Sequence, residues 1–345
     1  MSYQNRISCA NVTRIIGLLL MLSASNSTVA AQQNISFAGL EAYLNKQMVG
    51  PEAVEIIKQH LIESGTNQPL DHLVAWAQAG FPDLQADGYW KTESLSLKLG
   101  IVRSIHYYFE ASPPADKSKR YLAIVDGLAK DDYISYHLVG SAYRFVDEEW
   151  LEPKVLELLQ QKDPALREKG VQMGATLAQK KRYLFDRYNE MLRTDDNAHV
   201  RLVVLHSFVG WRTREVALIA LDRLLHDSDV EVRNMGGRGL EIATNFLGVL
   251  TVEDLTILLP ALLKATDSNA RISIGLAAAR LSTDRELHVR RSKFTDEFLF
   301  GFINNVRAKG TKAGSALTET ELAKEWLAWW TPQIPDYTER YKVVR

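Results

Sequence analysis

The sequence predicts an all-α protein built from tandem pairs of helices, and two observations carry that reading. One frame recurs four times: Asp163 to Arg167, Asn197 to Arg201, Asp229 to Arg233 and Asp267 to Arg271 each set Asp or Asn four residues before an Arg, with an apolar residue just ahead of the Arg. The four Arg stand 34, 32 and 38 residues apart, which is a repeat period. Each copy also lies between two amphipathic runs, and no segment alternates as a half-buried strand would.

The first 31 residues stand apart from this pattern. Arg6 and Arg14 precede the apolar run Ile15 to Leu22, and small polar residues follow up to Val29, Ala30 and Ala31. That is the pattern of a secretory signal peptide cut before Gln32. The run is about half the ~20 residues that a membrane-spanning helix needs, so no membrane span is expected in the mature chain. Cleavage removes two Arg and the single cysteine, Cys9, leaving 39 basic residues against 42 acidic ones and a net charge of -3. Disulfide staples, thiolate catalysis and cysteine-ligated metals are thereby excluded from the mature protein. Export to a bacterial periplasm or to the cell exterior is the expected localisation.

Residues 32–130 form an N-terminal helical region. Helices are expected over 40–62, 70–79 and 94–109, parted by Gly, Pro and Asp clusters. The repeats occupy 131–282. A degenerate copy begins at Asp132, with Tyr136 at the place of the Arg and Val139 and Gly140 at packing positions.

In the clear copies the first helix contains Val155 to Leu159, Tyr183 to Tyr188, Val216 to Leu225 and Leu255 to Leu263. The second helix follows the Arg, with small or apolar residues three, four and seven places on, such as Gly170, Val171 and Gly174, or Ile274, Gly275 and Ala278. Those spacings lie on one helical face. The Asp or Asn of the frame is placed to cap the second helix, accepting from its first free amides. A glycine inside a helix costs about 1 kcal/mol relative to Ala. Gly170, Gly174, Gly236, Gly237 and Gly275 therefore mark a seam where a neighbouring helix comes close.

The run from Leu258 through Asp267 and Arg271 to Ala278, and the run from Ala217 through Asp227, Asp229 and Arg233 to Leu240, resemble HEAT repeats of the short bacterial type. The resemblance covers about 150–282. It implies an α-solenoid of HEAT/armadillo-type helical repeats with helical N- and C-terminal caps. It also implies that the frame residues Asp163, Arg167, Arg201, Asp229, Arg233, Asp267 and Arg271 make structural contacts within and between repeats. Asn197 at an Asp place, and glycines where the family often has Ala, depart from the pattern.

Residues 283–345 are expected to form a C-terminal helical cap. A loop is predicted over 309–315, and Thr318 to Glu321 has the spacing of a capping box before a last helix. On that helix Trp326, Trp329 and Trp330 share a face, and Tyr337 and Tyr341 follow. The cluster either covers the apolar flank of the last pair or forms a platform for a sugar or a partner.

No catalytic constellation emerges from the sequence. The histidines at 60, 72, 106, 137, 199, 206, 226 and 288 include no pair three or four apart, so the helical zinc-site spacing is missing. No nucleophile elbow or phosphate loop is present, and Gly236 to Gly239 lies within a repeat helix. Asp131 and Asp132, like Asp147 and Glu148, sit at helix starts, where capping is their expected role. Lys180 to Arg182 and the stretch Arg290, Arg291, Lys293 are expected as solvated loops. The whole chain has a net charge of -1, which gives no basic surface for nucleic acid. No catalytic, cofactor-binding or metal-binding residue is assigned.

If the helices stack as the family implies, the second helices line a concave surface. Places five and nine after each Arg then face away from the seam: Gln172, His206, Arg238 and Leu276, and Thr176, Gly210, Ile242 and Arg280. Gln172, His206, Arg238, Leu276 and Arg280 are the candidate partner-binding residues. The expected function is an exported, non-catalytic protein-protein interaction or scaffolding module. One alternative is an enzyme such as the bilin lyases related to the short HEAT repeat. The other is a carbohydrate-binding or envelope-structural protein using its aromatic residues.

Overall fold

The computed structural model describes residues 37–63, 68–79, 92–111, 113–128, 132–245, 249–283, 289, 291, 294–313 and 315–334. The predicted signal peptide, Asp131, His288, Arg290, Lys293, Tyr337 and Tyr341 lie outside the described residues. Among the described residues the secondary structure is seventeen α-helices with two short 3-10 turns and no strand, so the chain is all-α. No described helix is long and apolar enough to cross a membrane.

The N-terminal region holds α1 (Phe37–Lys46), α2 (Pro51–Glu63), α3 (Pro69–Ala79), α4 (Thr92–Ala111), α5 (Lys117–Asp126), α6 (Asp132–Gly140) and the single turn α7 (Ala142–Phe145). The one helix expected over 40–62 is thus two. Met48 turns the chain with a φ of 58°, and Pro51 opens α2 at the first helical position, where its missing N–H is no loss. α5 was not foreseen: it is short and its first turn is polar, and packing of Tyr121, Ile124 and Val125 supports it. Ile101, Ile105 and Phe109 bury the inner stripe of α4, which packs on α1, α2, α3 and α6.

Four antiparallel pairs follow: α8 (Glu148–Leu159) with α9 (Pro164–Lys180), α10 (Arg182–Thr194) with α11 (Ala198–Val209), α12 (Arg214–His226) with α13 (Val230–Asn245), and α14 (Leu255–Lys264) with α15 (Ser268–Leu281). The second helices α9, α11, α13 and α15 lie side by side in chain order. The seam residues three, four and seven places after each Arg are buried throughout. Gly236 shows why a glycine stands there: a Cβ would lie 2.6 Å from the Ala220 carbonyl oxygen and 2.7 Å from the Leu224 nitrogen. Gly140, by contrast, has nothing within 4 Å of a Cβ, so the degenerate copy carries no close seam at that position.

The chain closes with α16 (Asp296–Ala313) and α17 (Glu319–Trp330). The loop expected from 309 is helical through Ala313, because α16 is anchored by buried Phe302, Ile303 and Val306 and carries Gly310 in its last turn. The capping box forms as expected: the Thr318 amide donates to Glu321 at 2.8 Å and the Glu321 amide to the Thr318 hydroxyl at 3.3 Å. The buried apolar residues divide into two cores. One runs from α1 to the α12–α13 pair and the other from that pair to α17.

Candidate functional site

Each turn between the helices of a pair is built by the same chemistry. The frame residue caps the second helix: Asp163 accepts from the Ala165 amide at 3.0 Å, Asn197 from His199 at 2.9 Å, Asp229 from Glu231 at 2.9 Å and Asp267 from Ala270 at 2.9 Å. The Arg then folds back. Its Nη1 donates to the carbonyl six residues earlier, at 3.1 Å for Arg167, 2.8 Å for Arg201, 3.0 Å for Arg233 and 3.0 Å for Arg271.

The other edge of the guanidinium reaches the next turn. Arg167 donates to Asp195 through Nε and Nη2, both at 2.8 Å. Arg201 does the same to Asp227 at 3.1 and 2.8 Å, and Arg271 to Asp296 at 2.6 and 2.5 Å. These bidentate contacts match the planar fork to a carboxylate. Burial pulls Asp195 and Asp227 upward, but their arginine and amide bonds outweigh it and hold both below the usual carboxylate range. Arg271 does the same for Asp296. The acids of this ladder were missed in the sequence. Asp195 and Asp227 each stand two residues before the capping residue, and that offset is the signal that would have found them.

The proposed row lies on the second helices. His206 and Arg238 are exposed and Gln172 is half-buried, so these three share a surface. Burial, and then the positive charge of Arg238, hold His206 below the usual histidine range, which puts the two on neighbouring helices within electrostatic reach. Leu276 does not belong to this surface. It is fully buried, because α15 packs at once on α13, α14 and α16. At place nine, Gly210 falls just beyond the end of α11. Arg280 is engaged within the fold, donating to the carbonyls of Glu241 at 3.1 Å and Val289 at 3.3 Å. Arg291 is no simple solvated loop residue either: it ion-pairs with Glu241 and donates to the Ser273 hydroxyl at 3.1 Å. The row therefore ends at Arg238.

The other sequence candidates have structural partners. Lys181 pairs with Glu148 and Glu152, and Arg182 takes Glu215 bidentately at 2.8 Å. Asp147 accepts from the Ser118 hydroxyl at 2.7 Å. Trp326 and Trp330 are fully buried, and their indole N–H groups donate to Ser282 at 3.0 Å and Thr283 at 2.8 Å. A stacking platform needs exposed rings, and of the three tryptophans only Trp329 is partly open. Among the described residues no group of three or more His, Cys, Asp or Glu is placed to hold a metal ion.

Compared with protein-family models, with curated proteins and with solved structures, the chain finds no match in any of the three.

Proposed function

We propose that the chain is an exported, non-catalytic α-solenoid of the HEAT type that binds or scaffolds a protein partner along the row Gln172, His206 and Arg238. The observation that carries this reading is the alignment of the row: three polar side chains at the same place of consecutive second helices, two of them exposed and electrostatically coupled. A stacked array of helix pairs presents such a row as a continuous surface. Arginine is among the residue types most often found at binding hot spots.

The test is crosslinking of the exported protein in cells, identification of what co-purifies, and comparison with Arg238→Glu. The variant is expected to lose about 2 kcal/mol or more of binding while its stability changes by less than ~0.5 kcal/mol, as for other exposed charges. A variant that melts normally and retains its partner at full affinity removes the row from consideration. Export is tested separately by N-terminal sequencing of the secreted fraction, which should read from Gln32.

A further inference from the structure

The arginine ladder has one unmatched rung. At the turns that receive Arg167 and Arg201, the acid occupies the residue two before the cap. It also ends the preceding helix, at φ -66°, ψ 130° for Asp195 and φ -68°, ψ 140° for Asp227. The same place before Asp267 is Ala265, and its backbone has the same shape, φ -62° and ψ 124°. Only the carboxylate is missing.

Elsewhere such a loss is balanced. Gln161 also stands where an acid would be, two residues before Asp163, but the copy upstream has Tyr136 instead of an arginine, so no cation is left over. Arg233 is retained. Its Nη1 is held by the carbonyls of Asp227 and Ser228, both at 3.0 Å, as two carbonyls hold that of Arg167 and of Arg271. At the matching turns Arg167 and Arg201 turn Nε and Nη2 to Asp195 and Asp227, the residues that stand where Ala265 does, and among the described residues Arg233 has no carboxylate partner.

A cleft of about 790 Å³ opens at this place between α12 and α14, lined by both Arg233 and Ala265. Its size lies within the ~300 to 1,000 Å³ of ligand sites. The lining includes Leu218, Leu225, Ile257 and Pro260, and Lys264 as a second cation. The acids that border the cleft are occupied. Asp227 serves Arg201 and the Asp229 amide, Asp222 serves Arg223 and His226, and Asp267 caps α15.

We infer that this cleft is a binding site for an acidic side chain of a polypeptide segment with apolar neighbours, its carboxylate completing the bidentate contact of Arg233 that Ala265 cannot make. A polypeptide is favoured because the three complete rungs are each filled by an aspartate side chain, and because the cleft sets apolar walls beside the cation. The cleft lies mostly between the first helices α12 and α14, with Arg233 reaching it from the first turn of α13, and none of Gln172, His206 and Arg238 lines it.

The experiment measures fluorescence anisotropy of a labelled, amidated peptide carrying one aspartate between leucines, against its asparagine counterpart. Wild type is expected to bind the aspartate peptide saturably below about 1 mM and the asparagine peptide at least about tenfold more weakly, the fold-change of a lost charge-assisted bond. Arg233→Gln should lose the binding. Ala265→Asp should lose it too while raising Tm, because the chain then supplies its own acid; this variant keeps the test informative if Arg233→Gln folds poorly. Equal binding of the two peptides, no binding by wild type, or peptide binding by Ala265→Asp at wild-type affinity overturns the inference. A rise in Tm with millimolar succinate in the absence of peptide binding overturns the polypeptide assignment in favour of a small free acid. Neither result bears on the Arg238→Glu crosslinking experiment.

Discussion

The helices before Glu148 and the pairs after it solve one problem in two ways. Both regions must bury polar groups where helices cross. In α8 to α15 the turns do so with paired charges: Arg201 is 9% and Asp227 1% exposed at the side chain, and they satisfy one another with two bonds. In α1 to α7 the crossing is aromatic. Phe109, Tyr121 and Phe145 pack with ring centroids about 5 Å apart, and His106 lies 5.0 Å from Phe145 with neither ring nitrogen bonded. The matched solution can be copied from turn to turn. The aromatic one fits a single place.

The largest effect that would break this contrast is Asp227→Ala. It strands Arg201 in a buried turn and removes a neighbour of Arg223 as well. Leaving one partner of a buried pair costs about 3 to 5 kcal/mol, to be read from urea denaturation. The depressed pKa values of Asp195, Asp227 and Asp296 give the same contacts a pH signature. Their stabilisation is fully present above the unfolded carboxylate value near ~4 and is lost as pH falls through the lower folded values. A wild-type acid limb that Asp227→Ala leaves unaltered would contradict the assignment.

Next is Gly236→Ala, expected to cost about 2 to 3 kcal/mol, because the new methyl meets backbone of α12 that cannot move alone. The N-terminal comparison is Gly100→Ala, whose Cβ would press on the tip of the Ile57 side chain at 2.5 Å. A tip can turn aside, so this substitution should be milder, and equal losses in melting experiments would erase the difference between the seams.

A third test separates the regions by pH. Burial, and then the charges of Arg144, Arg103 and His137, bring His106 down to about 3. An unfolded histidine titrates near ~6.5, so the unfolded state takes up the proton first and stability falls as pH drops below that value toward the folded one. At pH 5 the loss is about 2 kcal/mol relative to neutral pH. His106→Phe should abolish that limb and leave the acid limb of the carboxylates in place. The smallest effect expected is that of Gly237→Ala. Its Cβ would meet only the Ser273 hydroxyl at 2.8 Å among close contacts, and a gain of helix propensity of up to ~1 kcal/mol offsets much of the strain. Gly237→Leu, with no room for a branched side chain, should by contrast cost at least ~1 to 3 kcal/mol.

What was legible in the sequence follows the same division. The caps at Asp163, Asn197, Asp229 and Asp267, the glycine seams and the final capping box are local rules, and each is met in the structure. The break at Met48 was hidden because a left-handed residue other than glycine leaves little trace in composition. α5 was hidden because its helix depends on what it packs against. Leu276 was misplaced because a periodic argument assumes that every pair has the same neighbours, whereas α15 has α16 on one side. The cleft at Arg233 could not be read from any one copy. It becomes visible only when Ala265 is aligned with Asp195 and Asp227.

The ladder also has two chemically different ends. It starts at Gln161, which offers nothing to an upstream arginine, and it stops at Asp296, the first residue of α16, which takes Arg271 although it belongs to no pair. In the language of polymers the array has an initiator and a terminator. A duplicated α10–α11 unit inserted behind itself would bring its own Asp195 and Arg201 and find matching groups on both sides. A unit appended after α15 would first have to displace Asp296. The joints therefore fix where the array ends and leave open how many pairs lie between.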